Sequence, residues 1–139
     1  MVDQNCAYCV EGDLVAKFGI KICELETSKV YLFKEQSHPG RCIVAHKKHV
    51  GDMNELTAEE RAAYFEDVAR VARAIMAAFN PDKVNYGAYG DTGHHLHFHL
   101  CPKYKDEYEW GGVFLMNPDK KYLTDAEYAE MIEKIKANM

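Results

Sequence analysis

The sequence predicts an α+β domain, and three observations carry that prediction. Several short β-rich runs lie before residue 46. A capping box, Thr57-x-x-Glu60, then opens a stretch in which Tyr64, Val68, Val71, Ile75 and Phe79 recur at helical spacing. Two further β-rich runs precede a second capping box, Thr124-x-x-Glu127, at the head of a terminal helix. Antiparallel strands with one long and one terminal helix make an α+β domain.

The elements follow in order. Lys17 to Leu25 alternates, with Phe18, Ile20 and Ile22 on one side. Lys29 to Lys34 is a second strand, His38-Pro39-Gly40 a turn signal, and Arg41 to Ala45 a third strand. The long helix ends at Asn80-Pro81, and its apolar positions are assigned to the core. Lys83 to Tyr89 reads as a strand, and so does His95 to Cys101, which Pro102 closes. Lys105 to Asp119 is irregular and contains Trp110-Gly111-Gly112; the terminal helix runs to about Ala137. A chain of 139 residues is expected to form one domain, 1–139, with an arm at 6–9, the strand at 95–101 and a C-terminal extension at 105–139.

Net charge is −5 and the pI about 5.8. That balance argues against nucleic acid as a partner, which would want a basic face, and leaves a small anionic ligand open. No apolar run approaches the ~20 residues of a membrane span, and Asp3, Gln4 and Asn5 interrupt the start where a secretory leader would be apolar. The five cysteines are therefore expected to be reduced thiols in a cytoplasmic protein.

The most informative segment is His94-His95-Leu96-His97-Phe98-His99. A strand alternates its side chains between two faces, so His95, His97 and His99 would share one face, and Leu96, Phe98 and Leu100 the other. The apolar face can be buried. The histidine face must meet a metal, an anion or a substrate, because side-by-side imidazoles are a poor packing solution otherwise.

His95-Leu96-His97-Phe98-His99-Leu100-Cys101 resembles the histidine-triad motif, His-φ-His-φ-His-φ-φ with φ apolar, and Pro102-Lys103-Tyr104 also fits. The resemblance to the histidine triad (HIT) family extends over residues 6–104. It takes in Cys6-Ala-Tyr-Cys9, Lys47-Lys48-His49 ahead of the long helix, and Asn85 ten residues before His95. It implies a roughly five-stranded antiparallel sheet with two helices, commonly paired as a homodimer. It also implies a nucleotide hydrolase that attacks the α-phosphate of a nucleoside polyphosphate or phosphoramidate. His97 would be the nucleophile, forming a covalent nucleotidyl-histidine. His99 would contact the phosphate oxygens, Asn85 would help to position the phosphate, and His95 completes the triad. The residue chemistry agrees: a neutral imidazole is a competent nucleophile when its other nitrogen holds its proton against an acceptor. Asn85 is equally readable as a turn or ladder residue. Where the family often carries Gly-Gln-Ser/Thr, this chain has Gly90-Asp91-Thr92-Gly93-His94. The missing Gln departs from the purine phosphoramidase branch, and the shorter loop looks more like the diadenosine polyphosphate hydrolases. Thr92 or His94 would then supply the donors.

Cys6 and Cys9 in isolation read as a metal pair, a redox pair or two small buried residues. A redox pair normally sits where a strand feeds a helix, which this arm does not resemble. The family comparison implies zinc held by Cys6, Cys9, His49 and His95. The family pattern Gly-His-x-φ-φ-φ-Pro-Lys-x-His aligns with Gly40 to His49, with Arg41 in place of the first His and His46 in place of Pro; this selects His49 over His46. A Cys2His2 shell is closed to substrate, so the metal would be structural. Cys23, Cys42 and Cys101 are assigned to the core. Trp110 reads as a stacking residue, a dimer contact or a core anchor. Phe18 and Ile22 lie where the family walls its nucleoside pocket. Lys47, Lys48, Lys103 and Lys105 would either attract a polyphosphate or form a solvated face.

Two alternatives remain beside the hydrolase: a nucleotidyl transferase or phosphorylase with an acceptor other than water, and a zinc-stabilised nucleotide-binding module with little turnover.

Overall fold

Five strands form one antiparallel sheet in the computed structural model, which describes residues 2–139: β1 (Gly19–Glu24), β2 (Ser28–Phe33), β3 (Cys42–His46), β4 (Lys83–Gly87) and β5 (His97–Lys103). Their order across the sheet is β1-β2-β3-β5-β4, so β4 and β1 are the edges. Two four-residue helices, α1 (Ala7–Val10) and α2 (Asp13–Ala16), precede the sheet; α3 (Ala58–Phe79) is the long helix and α4 (Asp125–Lys136) the terminal one.

Both capping boxes form. Thr57 accepts from the Glu60 amide while Glu60 reaches back to the Thr57 amide, and Thr124 and Glu127 do the same. Asn80 ends α3 in the left-handed region, with φ 50°. Val30, Leu32, Val44, Phe98 and Leu100 meet Tyr64, Val68, Val71 and Ile75 of α3 and Tyr128 and Ile135 of α4 in the main core. Burial of this kind stabilises by roughly 1.5–3 kcal/mol per large apolar side chain.

The opposite face holds a smaller cluster of Tyr8, Val15, Tyr31, Phe33, Ile43 and Ala45. Ile43 pairs with His99 and Ala45 with His97, which places both histidines on this second face. Glu11 pins the arm there: it accepts from Tyr31 Oη at 2.8 Å and pairs with Lys29 Nζ at 3.1 Å. At the turn before β3, Arg41 N donates to His38 O and Gly40 takes φ 94°. A Cβ there would come within 2.6 Å of the Phe79 ring, so glycine is required twice over.

Three expectations need correction. Strict alternation in β1 fails at a bulge between Lys21 and Cys23, so Cys23 joins Ile20 and Ile22 against the helix-side core, while Phe18, which precedes the strand, lies on the opposite face, the side of the triad. The triad strand starts at His97, not His95: the Leu96 amide is taken by Val50 O and the His95 amide by Gly93 O, so the chain turns at His95 before joining the sheet. The strand also runs through Pro102 to Lys103. Lys103 O accepts from Asp82 N on the β4 side, so by alternation Pro102 faces the other side. There β3 has already ended at Cys42, opposite Leu100, and no ladder bond is lost.

Residues 104–121 form a strap across the second face. Tyr104 Oη donates to Pro39 O, His38 Nε2 lies 2.7 Å from Glu109 Oε1, and Glu35 accepts the amides of Lys120 and Lys121. Lys103 Nζ donates to Glu109 O and Gly112 O and so belongs to the strap's support. Among the described residues no helix is long and apolar enough to cross a membrane, and all five cysteines are free thiols.

Candidate active site and metal cluster

Each triad histidine commits one ring nitrogen to a neighbour, and the neighbour's chemistry decides where the proton sits. His97 Nδ1 lies 2.7 Å from His95 O. A carbonyl only accepts, so Nδ1 carries the proton and Nε2 keeps its lone pair. His99 Nδ1 lies 3.1 Å from Arg41 Nη2. A guanidinium only donates, so here Nδ1 is the acceptor and Nε2 carries the proton. His95 Nε2 lies 2.7 Å from His46 O, which makes it the donor and leaves Nδ1 bare. Three consecutive histidines on this face thus hold three fixed tautomers. Burial pushes all three below the usual histidine range: His95 to about 4 and His99 to about 3, the latter with Arg41 as the second cause.

This burial carries a stability consequence. His99 is neutral in the fold but titrates near 6.5 when unfolded. The unfolded chain therefore binds more protons below pH 6.5, and stability is lost as pH falls from there towards the folded value. Between pH 7 and pH 5 the wild type should lose about 2 kcal/mol more than His99→Asn, read from urea midpoints. Equal losses in the two proteins would contradict the neutral, buried state of His99.

A cavity of about 880 Å³ opens over His97 and His99. Tyr8, Phe18, Phe33 and Ile43 form its apolar side; Tyr89, Asp91 and Thr92 come from the β4–β5 loop, and Phe114 and Met116 from the strap. The Tyr8 ring packs 5.0 Å from that of His97. Among the described residues, no lysine or arginine lines this cavity, and its carboxylates are Asp3 and Asp91. Lys47 and Lys48 are turned to Glu24 and Glu60 instead, and Trp110 is exposed on the strap rather than anchored in the core.

His97, His99, His95 and Thr92 all line the cavity, as does His94. Asn85 does not. It sits on β4 opposite Cys101, two pairs further from the triad than the Gly87–His99 pair, and is not brought to the cavity wall. The residue that sequence reasoning undervalued is Arg41. It is fully buried, donates to Leu115 O and Met116 O as well as to His99, and lies between the rings of Phe33 and Phe114, 4.2 and 4.9 Å from their centroids. The available signal was an arginine opening an otherwise apolar strand at a position where the motif carries histidine.

Next to the cavity, Cys6, Cys9, His49 and His95 place one ligand atom each within 4.8 Å of one another. Cys9 N bonds back to Cys6 O, so the Cys-x-x-Cys spacing closes one helical turn. His95 Nδ1 is 3.3 Å from Cys6 Sγ, 3.6 Å from Cys9 Sγ and 3.1 Å from His49 Nδ1. Ligands of a tetrahedral ion with ordinary zinc bond lengths would stand about 3.3–3.8 Å apart. Two thiols and two imidazole nitrogens at these separations fit such an ion. His46, by contrast, accepts the Lys48 amide at Nδ1 and packs on Tyr64 away from the cluster.

The HIT domain model matches residues 19–106. The chain belongs to the HIT family. It is 29% identical over 123 residues to Protein hit of Bacillus subtilis, a match covering 84% of this chain and 83% of the relative. It is 28% identical over 116 residues to adenosine 5'-monophosphoramidase hnt1 of Schizosaccharomyces pombe, covering 77% of this chain and 80% of that one. The HIT fold is shared with a histidine triad protein of Sinorhizobium meliloti, at TM-score 0.84 and 21% identity over 92% of this chain and 95% of that one. A Zn-bound histidine triad family protein of Mycobacterium smegmatis matches at TM-score 0.67 and 21% identity, over 96% and 91% of the two chains. Family membership and the phosphoramidase relative support nucleotide hydrolase or transferase activity for this HIT protein.

Proposed function

We propose that the protein hydrolyses a nucleoside polyphosphate or phosphoramidate at its α-phosphate, through a covalent intermediate on His97. The observation that carries this reading is the bare His97 Nε2 facing the cavity, enforced by the bond from Nδ1 to His95 O. In the first step the Nε2 lone pair forms a bond to phosphorus while the bond to the leaving group breaks, and the leaving group departs with its electron pair and takes up a proton. In the second step water attacks phosphorus and gives up a proton, which replaces the one taken by the leaving group; the phosphorus–nitrogen bond returns its pair to Nε2, and a nucleoside monophosphate is released. The Nε2–H of His99 and the Thr92 hydroxyl are assigned to the phosphoryl oxygens. Asn85 keeps at most an indirect part in positioning. The apolar side at Phe18, Phe33 and Ile43 is assigned to the nucleoside.

Cys6, Cys9, His49 and His95 are assigned to one structural zinc; the neighbour described as Zn-bound supports that choice of metal. When bound, it would cross-link the arm to the triad and offer no open position to substrate. The reading extends to a cytoplasmic homodimer acting on a small-molecule nucleotide, not on nucleic acid or membranes. The edge position of β4, beside exposed Tyr86 and Met76, supports the pairing.

Between the two leaving groups, the cavity charge favours the amine. Asp3 and Asp91 would repel a polyphosphate and tolerate a neutral or protonated amine. The test is product analysis on adenosine phosphoramidate and a diadenosine polyphosphate, with and without inorganic phosphate. Nucleoside monophosphate is the expected product in each case; nucleoside diphosphate formed from added phosphate would instead establish the phosphorylase reading. Asp91→Asn should raise kcat/KM for the polyphosphate relative to the phosphoramidate by roughly threefold to tenfold. An unchanged ratio would remove Asp91 from the account of selectivity, and no product from either substrate would overturn the proposed activity.

A further inference from the structure

Arg41 stands out among groups outside the triad and the metal cluster. It is a fully buried guanidinium with no carboxylate bonded to it among the described residues. A buried charge is costly unless something compensates it. Here three of its contacts are the neutral acceptors His99 Nδ1, Leu115 O and Met116 O. Two aromatic faces flank it, and its Nε finds no partner. Glu35 and Glu109 attract it only through space, so the compensation is incomplete in the free protein, and the charge lies directly behind a histidine that lines the cavity.

We infer that Arg41 is a positioning residue for the reaction proposed above: it locks His99 as an Nε2–H donor, stations one positive charge behind that donor, and fixes the strap through two carbonyls. The inference rests on the proposed function for its catalytic part and on geometry alone for its tautomeric part. A guanidinium presents no acceptor, so His99 Nδ1 can meet it only as a lone pair. The proton is thereby forced to Nε2. The adjacent cation polarises that N–H and strengthens its bond to an anionic oxygen. An anionic phosphoryl group at the triad would then add to the countercharge that Glu35 and Glu109 supply only through space. The same guanidinium holds Leu115 and Met116, so Phe114 and Met116 stay on the cavity wall. Depression of the His99 pKa by burial and by Arg41 is consistent with this arrangement.

Two readouts test it. Imidazole nitrogen NMR on the wild type, without substrate, should show His99 protonated at Nε2 and bare at Nδ1; the opposite tautomer would overturn the inference whatever the activity proves to be. In Arg41→Met the His99 signals should shift towards a mixture of tautomers, and kcat/KM should fall by roughly 10²–10³-fold, the loss typical of removing one donor to a developing anion. Arg41→Lys keeps a charged donor and should recover part of the activity and the Nε2–H tautomer; recovery is the readout that a purely structural arginine would not give. Wild-type kcat/KM in Arg41→Met, or no recovery in a folded Arg41→Lys, would overturn the catalytic part. Absence of turnover in the wild type would count against the proposed function instead, and leave the tautomer result to decide this inference.

Discussion

His97→Ala is expected to lower kcat/KM by at least about 10⁴-fold on any nucleotide the wild type turns over, the scale seen when a covalent nucleophile is removed. The size follows from what the substitution takes away. Alanine offers no lone pair to phosphorus, and neither of the other triad histidines replaces it: His99 presents a proton at Nε2, and the bare nitrogen of His95 is turned to the cysteines. The structural damage is smaller. His95 O loses its donor, which costs about 1–3 kcal/mol for a buried acceptor. A domain with 5–15 kcal/mol of stability stays folded through that loss. The variant should therefore keep its metal and its cooperative unfolding while losing turnover. A kcat/KM within tenfold of wild type would remove His97 as nucleophile and favour direct attack by water.

The second large effect concerns the metal. Protein purified without added zinc is expected to contain a near-stoichiometric amount, and Cys9→Ser only traces. Without an ion, His95 Nδ1 faces His49 Nδ1 at 3.1 Å and two thiols. Because the His95 proton is committed to His46 O, one of those three groups must supply the proton for any bond to Nδ1. A single ion satisfies all four ligands together. Its loss should cost several kcal/mol, on the order of 10 °C in Tm for a chain of this length. Turnover should fall as well, since His95 O orients His97 and would lose its anchor. Trace metal in the wild type, with a melting curve unaltered by chelator, would rule out the structural site.

The parts of the fold that were legible in the sequence are those stabilised locally. Thr57 and Thr124 announce their helices because a capping box is complete within four residues. Leu96, Phe98 and Leu100 announce a buried strand face by alternation alone. The grouping of Cys6, Cys9, His49 and His95 was legible through spacing and family resemblance, and the turn at Cys6–Cys9 shows how that spacing brings the two thiols together. What escaped was held by distant partners. The strap from Tyr104 to Lys121 has no periodicity, because it is fastened by His38 to Glu109, Glu35 to two backbone amides, and Arg41 to two carbonyls. Backbone acceptors leave no trace in side-chain chemistry. Arg41 was noticed as a departure from a motif, but its burial between Phe33 and Phe114 depends on a pair of rings far apart in sequence. The bulge in β1, which turns Cys23 to the same side as Ile22, escaped for a similar reason: it is set by the register with β2 rather than by the local pattern.

The central claim is that His97 carries the nucleotide during turnover. Intact-protein mass spectrometry on samples quenched during turnover of adenosine phosphoramidate tests it most directly, with His97→Ala alongside. The account predicts a transient nucleotidyl adduct on the wild type, mapped to His97 by fragmentation and absent from the variant. Product formation by wild type with no adduct at any quench time, or an adduct that persists in His97→Ala, would contradict it.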